Sequence, residues 1–340
     1  MRSLVVQTSF IGDTVLTTPL LAHLAKRGPC DVVVTPTSAP LLANNPAVDE
    51  VIVYDKRGHD KGVLGFARLA TRLRRTGYTA VYHAQGSMRS AALSLVARIP
   101  ERVGFVTSAG RHLYTRRVDY IENEHHASRL LRLGMESDAT PSRAELQPRL
   151  YPGDRERLAV DALLRELGWS GEPFVALAPG SVWPTKRWPQ YGALAALLDA
   201  RVAIIGSGAD AMLASEILQT TGARAMDCTG RLSLLASAAL IGRATVLVTN
   251  DSAPLHLASA MRTPTVALFG PTVPEFGFGP LAPSALVIGR TELACRPCDR
   301  HGPRRCPLGH WRCMREITPR QVADAVQELS ASPRLPTSAR

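Results

Sequence analysis

Short apolar segments rich in β-branched residues alternate with amphipathic ones twice along this 340-residue chain. That alternation constrains the fold more than any other feature. Strands that read as continuous apolar runs must be buried on both faces, and parallel strands need crossover helices. The first run predicts strands over 4–7, 31–35, 51–54 and 80–83, with helices over 13–26, 38–42, 62–75 and 87–97. From 104 to 152 the pattern weakens to a short strand near 102–105, a helix over 124–133 and a polar connector over 136–148. A helix over 155–168 and a turn at Ser170 and Gly171 lead into the second run, with strands over 174–178, 202–205, 224–226, 245–249 and 265–269. The expected class is α/β, with two Rossmann-like, doubly wound domains over 1–168 and 169–317, a helix over 318–330 and a flexible tail over 331–340.

Two stretches of the second run carry the chemistry. Residues 245–258 read TVLVTNDSAPLHLA: a buried strand, then Asn250, Asp251 and Ser252 as capping side chains, then Pro254 in the first turn of a helix. A helix start of this kind offers unpaired N–H groups and partial positive charge, which suits phosphate, although an ordinary capped junction has the same composition. Residues 179–189 read PGSVWPTKRWP, where Gly180 allows close backbone approach, Ser181 offers a hydroxyl, and Lys186 and Arg187 stand between Trp183 and Trp188. Fixed donors with positive charge suit a pyrophosphate, and a solvated basic turn is the competing reading. In a doubly wound sheet the first and fourth strands are neighbours at the switch point, so both loops leave the same edge.

Other signals are weaker. Gly206, Gly208 and Ala211, with Asp227 further on, match a dinucleotide fingerprint, but they follow the second strand of their domain rather than its first. Asp13 begins the first predicted helix and reads as an N-cap or as a general base at a strand's carboxyl edge. His83, Gln85, Ser87 and Arg89 line the turn after the fourth strand. Cys295, Cys298, Cys306 and Cys313 include one C-x-x-C pair, and His301 and His310 lie between them. They read as a zinc site, as reduced structural thiols or as a redox-sensitive cluster. The cluster is expected to be structural, lying away from both phosphate-facing loops. No D-x-D triplet is present to hold a metal against a nucleotide diphosphate.

The net charge of +11 is spread along the chain, with denser patches at Arg68, Arg72, Arg74 and Arg75 and at Arg111, Arg116 and Arg117. Such a balance suits an anionic membrane surface, a phosphorylated substrate or nucleic acid. Aromatic residues are few and do not interleave with the basic ones, which argues against a single-strand stacking platform. No apolar run approaches membrane-spanning length and the first residues lack a secretory pattern, so a cytoplasmic location is expected.

The segments SFIGDTVLTTPLL, PGSVWPTKRWP, IIGSGAD, CTGRLSLLASAALIGRA and VTNDSAPLHLASAMRTPTVALFGPT occur in an order that resembles glycosyltransferase family nine, the ADP-heptose:lipopolysaccharide heptosyltransferases. The likeness spans nearly the whole chain, and the K-R-W-P loop looks more like the heptosyltransferase II branch than I. The resemblance implies a GT-B fold, two Rossmann-like domains facing a central cleft, and an inverting, metal-independent transfer. It implies Asp13 as catalytic base, and Gly180, Ser181, Lys186, Arg187, Gly206, Asp251, Ser252 and His256 as donor-binding residues, with no metal and no cofactor beyond the donor ADP-heptose. The first domain would take the acceptor and the second the donor. Ala253 stands where some relatives have glycine. The implied partner is an anionic lipopolysaccharide core, with peripheral contact at the inner membrane and no nucleic acid. Heptosylation of a protein or another glycan, nicotinamide-dependent oxidoreduction and non-catalytic basic binding are the alternatives.

Overall fold

β1 (Ser3–Gln7) is buried at every residue and feeds α1 (Ile11–Ala25). The chain continues through β2 (Cys30–Val34), β3 (Val51–Val53), α2 (Gly62–Thr76), β4 (Ala80–His83), α3 (Met88–Val96), β5 (Glu101–Phe105), β6 (Arg116–Val118) and α4 (His126–Gly134). These strands form one parallel sheet in the order β3-β2-β1-β4-β5-β6. The computed structural model describes residues 1–136 and 140–331, and divides the chain into units Met1–Tyr151 and Pro152–Arg340.

The second unit opens with α5 (Asp154–Glu166) and β7 (Phe174–Ala178), followed by α6 (Tyr191–Leu197), β8 (Arg201–Ile204), α7 (Ala211–Thr221), β9 (Ala225–Asp227) and α8 (Leu234–Arg243). Then come β10 (Leu247–Asn250), α9 (Ala253–Met261), β11 (Thr265–Phe269), β12 (Ala285–Gly289), α10 (Arg312–Arg315) and α11 (Pro319–Ala331). Its parallel sheet runs β12-β11-β10-β7-β8-β9. Two doubly wound sheets, as expected for a GT-B chain, are therefore present. The core on one face of the second sheet joins Val175, Leu177, Val248 and Leu268 to Trp188 and Tyr191. α11 adds Val322, Val326 and Leu329 to the same cluster, which is why the chain's last helix belongs to this unit.

Three details differ from the expectations. The units divide after Tyr151 rather than at 168/169, because α5 packs on α8: Arg243 Nη1 lies 2.6 Å from Asp161 Oδ1, and Arg231 Nη2 lies 2.6 Å from Glu166 Oε2. β6 and β12 were not expected. Both are edge strands and only partly buried, so neither shows the apolar run of a central strand. α1 begins at Ile11, which moves Asp13 from the cap into the first turn. The expected tail falls, beyond Ala331, outside the described residues.

Candidate functional site

In the second unit β7 and β10 are hydrogen-bonded neighbours, with Leu247 opposite Ala176 and Thr249 opposite Ala178. Loops 179–190 and 250–253 thus leave the same sheet edge, as the predicted strand order requires. Asn250 ties them together. Its Oδ1 accepts from Trp188 N at 3.1 Å and from Tyr191 OH at 3.3 Å, while its Nδ2 donates to the Pro179 carbonyl at 2.8 Å. Burial pushes the Tyr191 hydroxyl well above its usual pKa, so it remains a donor. Asn250 is therefore a strut between loops rather than a helix cap.

Asp251 is likewise committed elsewhere than to capping. Lys186 Nζ donates to its Oδ2 at 2.6 Å, and Thr272 Oγ1 donates to the same oxygen at 2.7 Å. Both members of the ion pair are about nine-tenths buried, with side-chain exposures of 9% and 10%. An ammonium has three N–H donors, so two remain on Lys186 beyond this bond. Ser252 is the N-cap of α9, with Pro254 in the first turn and no side chain bonded to the cap. Arg187 Nε donates to the Ser181 carbonyl at 2.9 Å, and Ser181 Oγ accepts from Trp183 N at 3.2 Å, which closes the turn between them. His256 is buried on α9 with its ring edge-on to Phe278, 6.2 Å away.

Gly180 and Gly206 have a shared steric reason. A Cβ on Gly180 would lie 2.5 Å from Asp210 Oδ1, and one on Gly206 would lie 2.9 Å from the Asp210 Cβ. Asp210 itself accepts from Ser207 N and Ser207 Oγ, both at 2.8 Å. The carboxylate of Asp227 accepts from Thr229 N at 2.9 Å and from its hydroxyl at 2.7 Å. The acid of the apparent dinucleotide fingerprint is thus bound within its own turn, and the motif follows β8, the second strand of its domain rather than the first.

The cysteine segment does not lie away from the donor loop, contrary to the expectation. Trp311 Nε1 donates to the Thr185 carbonyl at 2.8 Å, Thr185 Oγ1 donates to the Pro303 carbonyl, and Trp183 stacks on His301 at 6.1 Å and 11°. Arg296 donates to the carbonyls of Phe269 and Thr272, both at 2.9 Å. Topology alone placed this segment after the last expected strand, but a long irregular segment is free to fold back. Cys295, Cys298 and Cys306 line a cavity of about 300 Å³, and burial raises the Cys313 thiol to about 11. Among the described residues no group of three or more His, Cys, Asp or Glu side chains is arranged to hold a metal.

In the first unit Asp13 stands in the first turn of α1. Its Oδ2 accepts from Ser9 Oγ at 2.7 Å and from Phe10 N at 3.4 Å, and its Oδ1 lies 3.8 Å from His126 Nε2. Near it at the carboxyl edge, Lys56 Nζ donates to the Thr8 carbonyl at 2.8 Å, and Gln85 Nε2 donates to Thr8 Oγ1 at 3.0 Å and Ser90 Oγ at 2.5 Å. Arg89 is held by Tyr54 OH, at 2.6 and 2.8 Å. His83 does not join this edge. It is fully buried, bonded to Ser94 Oγ at 3.0 Å and stacked on Tyr114, and burial, with Arg102, lowers its pKa to about 3.

Three site residues escaped the sequence reading: His126, Thr272 and Asp210. Thr272 and Asp210 lie in quoted motifs, so their positions were legible while their bonds were not. His126 comes from a weakly patterned segment and is brought in only by the packing of α4 along α1.

The pattern of glycosyltransferase family 9 (heptosyltransferase) matches residues 66–310. Lipooligosaccharide heptosyltransferase 2 of Haemophilus influenzae is 28% identical over 97% of this chain and 100% of its own. Lipopolysaccharide heptosyltransferase 2 of Escherichia coli K12 is 30% identical over 85% of this chain and 88% of its own. The solved structure of E. coli ADP-heptose lps heptosyltransferase II superposes with a TM-score of 0.79 at 27% identity, covering 97% of this chain and 98% of that one.

Proposed function

The chain belongs to glycosyltransferase family 9, the heptosyltransferase family, and from that premise we propose that it moves heptose from ADP-heptose to the inner core of lipopolysaccharide by an inverting, metal-independent transfer. The observation that carries this reading is the buried Lys186–Asp251 pair at the switch point, beside the N-terminus of α9. It holds an ammonium with donors to spare where a doubly wound sheet binds its ligand.

In the proposed step Asp13 Oδ1 takes the acceptor hydroxyl proton, since Oδ2 is already engaged by Ser9 and Phe10. The acceptor oxygen bonds to the anomeric carbon from the face opposite the diphosphate. The carbon–oxygen bond to the diphosphate breaks, and its electron pair leaves with ADP. Lys186, Arg187 and the first amides of α9 stabilise that charge, the kind of fixed electrostatic contribution that is often the largest in catalysis. Gly180, Ser181, Gly206, Ser252 and His256 shape the donor pocket.

The finer partner is an anionic lipopolysaccharide core met at the cytoplasmic face of the inner membrane. α2 supports this. Val63 and Leu64 in its first turn are 81% and 80% exposed, and the helix carries Arg68, Arg72, Arg74 and Arg75 with no acidic residue. Exposed aliphatic side chains beside arginines suit an anionic bilayer surface. Among the described residues no helix is long and apolar enough to cross a membrane.

The test is incubation of purified protein with ADP-heptose and truncated core acceptors, read by mass spectrometry. One added heptose, with ADP released in equal amount, is the expected result. Acceptors recovered unchanged with the donor intact would overturn the assignment.

A further inference from the structure

We propose that Arg296 is a positioning residue for Lys186, acting through Thr272 and Asp251. The inference rests on Lys186 meeting the donor diphosphate, as proposed above. Three carbonyls of the turn after β11 converge on this one guanidinium. Arg296 Nη2 donates to the Phe269 and Thr272 carbonyls, both at 2.9 Å, and Nε donates to the Gly270 carbonyl. Its Nη1 is buried without a hydrogen-bond partner. Keeping a charge from water with only main-chain acceptors around it is a costly way to brace a turn. The turn it braces leads directly to Lys186.

Thr272 is held at both ends. Its carbonyl accepts from Arg296, and its Oγ1 donates to Asp251 Oδ2 at 2.7 Å. That same oxygen accepts from Lys186 Nζ at 2.6 Å. Thr272 and Asp251 are both buried, so neither shifts without repacking its neighbours. The segment that carries Arg296 also lies against the Lys186 stem. Cys298 N donates to the Pro271 carbonyl at 2.9 Å. A Cβ on Gly302, whose φ is +85°, would lie 3.2 Å from Lys186 Cε and 3.3 Å from Pro271 Cγ. Space for the guanidinium comes from Gly289 at the end of β12, where a Cβ would lie 3.2 Å from Arg296 Nη2 and 3.3 Å from Nη1.

A guanidinium is planar and carries five N–H donors in fixed directions, so it can span three acceptors at once. An ammonium is a compact point charge on a flexible stem and cannot hold the same three carbonyls in place. Loss of the guanidinium releases the 270–272 turn, and with it Thr272 and the Asp251 carboxylate. Lys186 then keeps its charge but loses its fixed place.

The experiment is a double-mutant cycle read by ADP titration, transfer rate and melting temperature. Arg296→Lys and Arg296→Ala are each made in the parent and in Lys186→Ala. Arg296→Lys is expected to weaken ADP binding about tenfold in the parent and less than about twofold in Lys186→Ala, because residues acting as one unit are not additive. Transfer should fall in parallel. The lysine variant decides the matter where the alanine variant fails to fold. Parental ADP affinity in the Arg296 variants overturns the proposal. So does an equal loss in both backgrounds, because that marks a general structural role independent of Lys186. Lys186→Ala separates the two claims: parental ADP affinity there refutes Lys186 as the donor cation, whereas weakened affinity there with unaffected Arg296 variants refutes only the positioning.

Discussion

Lys186 Nζ and Asp251 Oδ2 meet at 2.6 Å, joining the loop after β7 to the loop after β10 across two neighbouring strands. The cation proposed to meet the donor diphosphate is therefore already buried and paired in the protein itself. In that proposal its attraction for a phosphate adds to a bond already made, and its position is set by a carboxylate that Thr272 also holds.

This pairing makes Lys186→Ala a stability change as well as a binding change. Removing one partner of a buried pair leaves the other charge uncompensated, at a cost of about 3–5 kcal/mol. We expect a lower melting temperature and ADP affinity weakened roughly ten- to a hundred-fold, since a charge-assisted bond contributes about 1.5–3 kcal/mol. Lys186→Met combined with Asp251→Leu should restore the melting temperature without restoring transfer. Calorimetry and ADP titration read both effects, and unchanged affinity in Lys186→Ala would remove the residue from the donor site.

Asp13→Asn separates folding from chemistry. Asparagine keeps an acceptor for Ser9 Oγ and Phe10 N, so only the charge–dipole contribution near the start of α1 is lost, about 0.3–1 kcal/mol. The melting temperature should barely move and ADP affinity should stay, while transfer falls by about 10²–10⁴-fold. A variant that is stable, binds ADP and transfers at the parental rate would reduce Asp13 to a helix-start residue.

His83 predicts an acid-sensitive first unit. Burial lowers its folded pKa to about 3 from the ordinary histidine value of 6.5, so below pH 6.5 the unfolded chain binds a proton that the native one refuses. Stability is lost as pH falls from about 6.5 toward 3, with a slope of up to about 1.4 kcal/mol per pH unit for this group. Burial also lowers the His23 pKa, which acts in the same direction. Denaturant titrations of the parent and His83→Gln between pH 7 and pH 4 should show the steeper loss in the parent. Parallel curves would assign the acid sensitivity elsewhere.

Thiol labelling should divide the cysteines by burial. Cys30 and Cys228 are buried with thiols raised to about 12, and Cys313 is buried and raised to about 11. Iodoacetamide at neutral pH should modify Cys295, Cys298 and Cys306 first. Because their segment packs on the donor loop through Trp311 and Thr185, saturating ADP should slow that labelling. Peptide mapping by mass checks both points, and equal labelling of all six would contradict the burial pattern.

Anionic vesicles test the α2 surface. Vesicles containing phosphatidylglycerol should sediment the protein, and purely phosphatidylcholine ones should leave it in solution. Val63→Ser with Leu64→Ser should weaken the sedimentation several-fold while transfer to a soluble truncated acceptor stays intact. Binding indifferent to lipid charge would refute an anionic bilayer as the partner of α2.

The alternation of apolar strands and amphipathic helices determined the two doubly wound sheets, because a strand buried on both faces has few sequence solutions and its crossover must be helical. The same logic placed β7 beside β10 and put their loops at one edge, and the helix start at Ser252 was legible from its capping chemistry and from Pro254. Edge strands β6 and β12 were not legible, since half-buried segments such as Arg116–Val118 lack the apolar signal. Side-chain pairing was decided by tertiary structure alone. Asn250 and Asp251 read as capping side chains and Asp227 as the acid of a dinucleotide fingerprint, yet the first braces two loops, the second holds Lys186 and the third bonds its own Thr229. Likewise the chain points to His83 at the end of a strand and gives no signal at His126, but β4 carries the first into the core while α4 brings the second to Asp13. Periodicity encodes which face of an element is buried. It carries no information about which distant polar group waits there, because that depends on how whole helices and strands pack.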